Sequence, residues 1–180
     1  MFLRTMLRMW RSRRAARLSM LEVSRIRMRV LPNDLDILGH MNNGVYFSYM
    51  DLGRMDLVIR AGAWDLFSKL GWLPVAASET LSFRRSMRAW QLFELQTRII
   101  GYDDKAVYME QRFVVDGEIY AQGVVRGRFV RKTGGTVTMD ELGEVLGIDP
   151  TGFPPPEWLA TWAEDAGLPP SRSSFRSDWH

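Results

Sequence analysis

Five stretches of the chain alternate apolar and polar residues with the period of a strand, and a long stretch after the first of them does not. Ser24 to Leu31 sets Ile26, Met28 and Val30 against Arg25, Arg27 and Arg29, the pattern of a half-buried strand. Val75 to Arg84 places Val75, Ala77, Leu81 and Phe83 on the face that also carries Glu79. Gln91 to Ile100 sets Phe93, Leu95, Thr97 and Ile99 against Glu94, Gln96 and Arg98, so one face is wet. After a turn at Tyr102 to Lys105, Ala106 to Val115 is joined to Glu118 to Val130 through Asp116-Gly117, a hairpin signal. The last strand carries small residues, Ala121, Gly123 and Gly127, on its apolar face, which lets a helix lie close. That helix is Val45 to Ala61, which lacks proline and is apolar on almost every side, as a buried helix is. The pattern therefore predicts an α+β fold in which an antiparallel five-stranded sheet wraps around one long buried helix.

Other segments are placed around this unit. Trp64, Leu66, Phe67, Leu70 and Trp72 near helical spacing predict a short helix that acts as a lid or caps the core. Met139 to Leu146 and Glu157 to Ala166 read as helices separated by the stiff Pro154-Pro155-Pro156, with Trp158, Leu159 and Trp162 packing inward. The expected organisation is a basic arm over residues 1–22, a domain over 23–132, a helical extension over 133–170 and a disordered tail over 171–180.

The chemistry gathers where the first strand meets the long helix. Pro32-Asn33-Asp34 breaks the strand. Asp36, Gly39, His40, Asn42 and Asn43 follow directly before the apolar run. Asn42 or Asn43 can cap the helix, and the free N–H groups at its start are suited to polarising a carbonyl oxygen. Gly39 permits the tight turn that folds Asp36 back over that end. A carboxylate beside an oxyanion-stabilising helix end is a minimal device for acyl transfer. Asp51 is a rival carboxylate within the helix, with Arg54 three residues on as a structural partner. Glu79, an acid on an apolar face, either lines a site or meets an arginine. Arg84, Arg85 and Arg88 either bind phosphate bidentately or form a solvated turn.

The run Asp36-x-x-Gly39-His40-x-Asn42-Asn43-x-x-Tyr46, leading into a buried helix, resembles the hot-dog-fold thioesterases of the 4-hydroxybenzoyl-CoA thioesterase type. Within them it is most similar to the thioesterase superfamily member-six branch. Ser82 to Ser86, Gly101 to Val114 and Pro155 to Glu157 extend the resemblance, which covers roughly Val23 to Ala166. It implies a hot-dog fold and hydrolysis of an acyl thioester such as acyl-CoA. Asp36 then matches the base or nucleophile, and the Asn43 N–H matches the donor to the thioester carbonyl. Asp51 matches the position where some hot-dog thioesterases carry their acid. Gly39, His40, Asn42, Tyr46, Glu79, Arg84, Arg85 and Arg88 are the substrate-side candidates, with Tyr46 also readable as buried packing. Several relatives carry a histidine where this chain has Asn43, so any imidazole role there is lost. The resemblance also implies a homodimer or dimer of dimers with the site at the subunit interface.

Composition narrows the alternatives. The 180 residues contain no cysteine and two histidines, His40 and His180, which excludes thiol nucleophiles and disfavours a multi-histidine metal site. No metal and no cofactor is expected. Lack of cysteine suits a reducing compartment, and a cytoplasmic protein is expected. The net charge is only +3, but six arginines lie between Arg4 and Arg17 and the first acid is Glu22. Met1 to Ser19 can form an amphipathic helix: a packed or mobile arm, a contact with a membrane surface, or a targeting segment. Nucleic-acid binding has arginines but no reading motif. The reading from another class is a non-catalytic acyl-binding or scaffold protein on the same fold.

Overall fold

The structure, a computed structural model, describes residues 2–169 and 173–179. Helix α1 (Phe2–Arg14) precedes strand β1 (Ser24–Arg29), and a 3-10 turn at Pro32–Asp34 leads to the long helix α2 (Asn43–Arg60). Helix α3 (Ala63–Leu70) is followed by β2 (Trp72–Phe83), β3 (Leu92–Tyr102), β4 (Val107–Val115) and β5 (Glu118–Arg131). Helices α4 (Met139–Leu146) and α5 (Glu157–Asp165) complete the chain's regular structure. Residues 173–179 of the expected tail carry no helix or strand, and 171, 172 and 180 lie outside the described residues.

The strands pair antiparallel in the order β1-β3-β4-β5-β2, so β1 and β2 are the edges. One face of the sheet curls around α2. Tyr46, Tyr49, Met50 and Leu52 of the helix are buried against Phe93, Leu95, Phe113 and Val125 of the strands. Farther along, Leu57 joins Phe67, Trp72, Ile99 and Phe129, and Leu142 of α4 closes that end. On the opposite face, α5 buries Leu159 over Ala106, Tyr108 and Val124. This is the hot-dog arrangement.

Small residues set how closely the helix approaches. A methyl group on Gly53 would stand 2.5 Å from Thr97 Oγ1 and 2.7 Å from Gln111 Nε2. One on Gly123 would stand 2.9 Å from Met50 Cε. The close contact brings a polar pair into the core. Fully buried Gln111 donates to the Met50 carbonyl at 2.8 Å and to Thr97 Oγ1 at 2.9 Å, which meets the requirement that buried polar groups be bonded.

One expectation is revised and one open alternative is decided. A bulge between Ala76 and Ser78 shifts the register of β2 on β5. Val75 therefore pairs with Arg128 while Glu79 pairs with Val125, and the two do not share a face. The basic arm, open in sequence between packed and mobile, is packed: α1 lies along α2. Fully buried Asp56 of α2 accepts from Ser12 Oγ at 2.5 Å and Ser24 Oγ at 2.6 Å. It also pairs with Arg8 at 3.2 Å and Arg60 at 3.4 Å. Desolvation lowers the Arg8 pKa, opposed by the Asp56 charge.

Candidate active site

The loop between the 3-10 turn and α2 is closed by backbone pairing. The Asp36 N–H donates to the His40 carbonyl at 2.8 Å, and Leu35 bridges Met41. Gly39 sits at φ +76, where a side chain would be strained. Inside this turn the Asp36 Oδ1 accepts from the Leu38 N–H at 2.8 Å and the His40 N–H at 3.2 Å. The other carboxylate oxygen has no hydrogen-bond partner among the described residues. Asp36 itself is half-buried, while Ile37 and Leu38 at the tip are exposed.

The cap at the helix start is Asn42. Its Oδ1 accepts from the Gly44 N–H at 2.9 Å, and its carbonyl accepts from the Val45 N–H at 2.9 Å. Asn43 is the first helical residue, exposed, and its own N–H has no partner among the described residues. An uncommitted donor at a helix N-terminus thus stands seven residues after the carboxylate.

Other candidates divide. His40 pairs through its backbone with Arg88, and the Met41 N–H donates to the Met87 carbonyl at 2.8 Å, so Arg88 is brought to the loop. Arg84 and Arg85 are turned elsewhere, both reaching Glu118 on the β4–β5 hairpin at 2.6 and 3.9 Å. Tyr46 is core: it is 2% exposed and meets Phe83 and Phe113 edge-on at centroid distances of 5.0 and 4.9 Å. Burial raises its pKa, opposed by a backbone hydrogen bond from Met87.

Asp51 and Glu79 form a second group, about 12 Å along the helix axis from Asn43 at 1.5 Å per residue. Arg54 gathers it, pairing with Asp51, with Glu79 at 2.8 Å and with Gln111 Oε1 at 3.0 Å. Burial raises the Glu79 pKa; Arg54 opposes the shift and the Asp51 charge adds to it. Beside this cluster is a cavity of about 470 Å3, walled by Met55 and Val58 of α2, Trp64 of α3, Met109 of β4 and Leu142 and Leu146 of α4. Such a volume and lining suit an apolar ligand group. Asp51, 68% exposed at its side chain, borders the cavity on the solvent side, and Tyr102, 5% exposed, borders it within the core.

The Tyr102 hydroxyl is buried without a partner among the described residues, and burial pushes its pKa up to about 12. A buried orphan hydroxyl costs about 1–3 kcal/mol. Tyr102→Phe is therefore expected to stabilise the protein, raising Tm by about 2–4 °C per kcal/mol in a chain of this size. Calorimetry checks this; an unchanged or lower Tm would show that the hydroxyl is satisfied.

A sequence model described as the thioesterase-like superfamily matches residues 30–163, a span that holds the loop, α2 and the whole sheet beyond β1. The chain belongs to the thioesterase-like superfamily. Among relatives in the superfamily's member-six branch, the Drosophila melanogaster Protein THEM6 is 30% identical over 149 residues, 81% of this chain and 73% of that protein. The Xenopus laevis Protein THEM6 is 42% identical over 99 residues, 55% of this chain and 48% of the frog protein. The chain thus spans about half the length of that vertebrate relative. The fold is also that of Escherichia coli YbaW, described as a probable thioesterase, with a TM-score of 0.64 at 18% identity over 68% of this chain and 95% of that one.

Three residues that anchor the loop, hold the arm or border the cavity were not singled out by sequence. Asp34, 2% exposed, receives Arg4 at 3.0 and 3.2 Å, the Tyr49 hydroxyl at 2.7 Å and the Leu31 N–H at 2.8 Å. It anchors the loop, and its carbonyl accepts the Asn42 N–H at 2.8 Å. Asp56 anchors α1, and the available signal was an acid four residues before Arg60 in a largely apolar helix. Tyr102, placed in a turn by sequence, lies at the end of β3 with a bulge between Ile99 and Gly101.

Proposed function

We propose that this chain hydrolyses an acyl thioester, with acyl-CoA as the thioester class. The observation that carries the reading is the pairing of Asp36, one oxygen held by the loop's amides and the other uncommitted, with the free Asn43 N–H at the start of a buried helix. Membership of the thioesterase-like superfamily supports it.

The carbonyl oxygen of the thioester accepts from the Asn43 N–H, where the helix dipole favours developing negative charge. Asp36 then acts in one of two ways. As a base it takes a proton from water as that water attacks the carbonyl carbon. As a nucleophile it forms an acyl-enzyme anhydride that water then opens. In either route the carbon–sulfur bond breaks and the thiolate leaves, to be protonated to the free thiol. The cavity beside Asp51 receives the apolar part of the acyl group.

Homodimer formation belongs to the same reading. Strand β2 is a 12-residue edge, with Leu73, Val75 and Phe83 at 43%, 39% and 47% exposure. An edge of that length calls for cover. Pairing two copies through it provides that cover and brings the loop of one subunit toward the other's Asp51 group, 12 Å away within a single chain.

The test is thiol release from short, medium, long-chain and aromatic acyl-CoAs by the full chain, with sedimentation velocity on the same sample. Hydrolysis by a dimer is expected. A well-folded dimer that retains an acyl ligand in native mass spectrometry and turns over none of the panel would replace this reading with acyl binding.

A further inference from the structure

Helix α1 is attached to the protein by its charged side. Arg4 reaches Asp34, Arg8 reaches Asp56, and buried Ser12 donates to the same Asp56 carboxylate. Those residues recur every four positions and define the inward face. The outward face carries Leu3, Met6, Leu7 and Trp10, at i, i+3, i+4 and i+7, with exposures of 81%, 50%, 45% and 54%. This reverses the usual packing of an amphipathic helix, in which the apolar stripe is turned to the core. The helix needs none of its outward apolar residues to stay docked, and a contiguous exposed apolar stripe marks an interaction surface.

We infer that this stripe seats the protein on an anionic phospholipid surface. The charge around it selects that partner. Arg11, Arg13 and Arg14 are exposed in the last turn of α1 and Arg17 follows, with no acid before Glu22. The Arg14 guanidinium lies 3.8 Å from the Trp10 ring centroid, so the ring and a cation occupy one spot. Among the described residues Arg13 pairs only with Asp65, at 4.0 Å, and the Asp65 side chain is 77% exposed. Leucine, methionine and tryptophan beside arginines are the composition of a helix lying at a bilayer interface, and each surface cation gains from anionic headgroups. A second copy is a poorer occupant, because it would set the exposed Arg11, Arg13 and Arg14 against another such set, with Asp65 as the acid beside them.

Seating α1 this way has a consequence for the site. Thr5 lines the apolar cavity, and Arg4 holds the aspartate two residues before Asp36. The cavity and the loop are thereby held beside the lipid surface.

The experiment reads binding, independent of turnover. The full chain is sedimented with vesicles of phosphatidylcholine alone and of phosphatidylcholine with phosphatidylserine. Wild type is expected to partition onto the phosphatidylserine vesicles and to be partly released by salt. Leu7→Glu with Trp10→Glu is expected to lower that partitioning by at least about tenfold, with an unchanged unfolding midpoint because both positions are exposed. Arg11→Glu with Arg14→Glu is expected to abolish the preference for phosphatidylserine. Wild type that stays in the supernatant with both vesicles overturns the inference. So does a Leu7→Glu, Trp10→Glu variant that binds like wild type, or one whose assembly falls apart in sedimentation velocity, which would show that a second copy covers the stripe.

Discussion

Asp36→Asn is expected to lower kcat for thioester hydrolysis by about 10²–10⁴-fold, the range that a positioned base contributes, with KM and the unfolding midpoint little changed. The amide keeps an oxygen to accept from the Leu38 and His40 N–H groups, so the turn that holds the side chain survives. It lacks the second carboxylate oxygen, the one left uncommitted by the loop. The comparison is Asp51→Asn, on a residue paired with Arg54 and exposed at the edge of the cavity. Steady-state thiol release from folded samples of both variants checks the assignment. Collapse in Asp51→Asn alone would move the catalytic acid onto the helix; collapse in neither would remove both carboxylates from the chemistry.

Asp56→Ala is expected to destabilise the fold by about 3–5 kcal/mol, because removing one partner of a buried ion pair strands the rest. The groups that lose this carboxylate are Arg8 and Arg60, both with side chains under 15% exposed, and the hydroxyls of Ser12 and Ser24, of which Ser12 keeps the Arg8 carbonyl and Arg60 the Ala16 carbonyl. Urea unfolding gives the number from the midpoint and slope. A loss below about 1 kcal/mol would place this carboxylate in the class of solvent-screened surface pairs. Limited proteolysis adds a regional reading: cleavage between α1 and β1 is expected to quicken, since Asp56 bonds residues on both sides of that segment.

Periodicity made the framework legible. The buried helix, the succession of strands along the chain and the Asp116-Gly117 turn follow from local rules, and α4 lies at Met139–Leu146 as its spacing predicts. The geometry of the loop was legible for a similar reason, since Asp36, Gly39 and Asn42 act on neighbours within four residues. What was hidden depends on partners far apart in sequence. Arg4 meets Asp34 thirty residues on, and Ser12 meets Asp56 forty-four residues on. A hydrophobic pattern alone would turn the Leu3–Trp10 stripe of α1 inward, and two buried carboxylates decide otherwise. The β2 bulge is likewise invisible to an alternation rule, because one extra residue exchanges the two faces.

The Arg4–Asp34 pair makes two distant events one equilibrium. Asp34 holds the start of the loop through the Leu31 and Asn42 N–H groups, and the arm supplies its only guanidinium among the described contacts. Lifting α1 away leaves a carboxylate in the core without its cation, so the loop loosens when the arm leaves. Thermodynamic reciprocity fixes the converse. Whatever tightens the loop holds the arm down by the same factor, and whatever pins the arm steadies the loop.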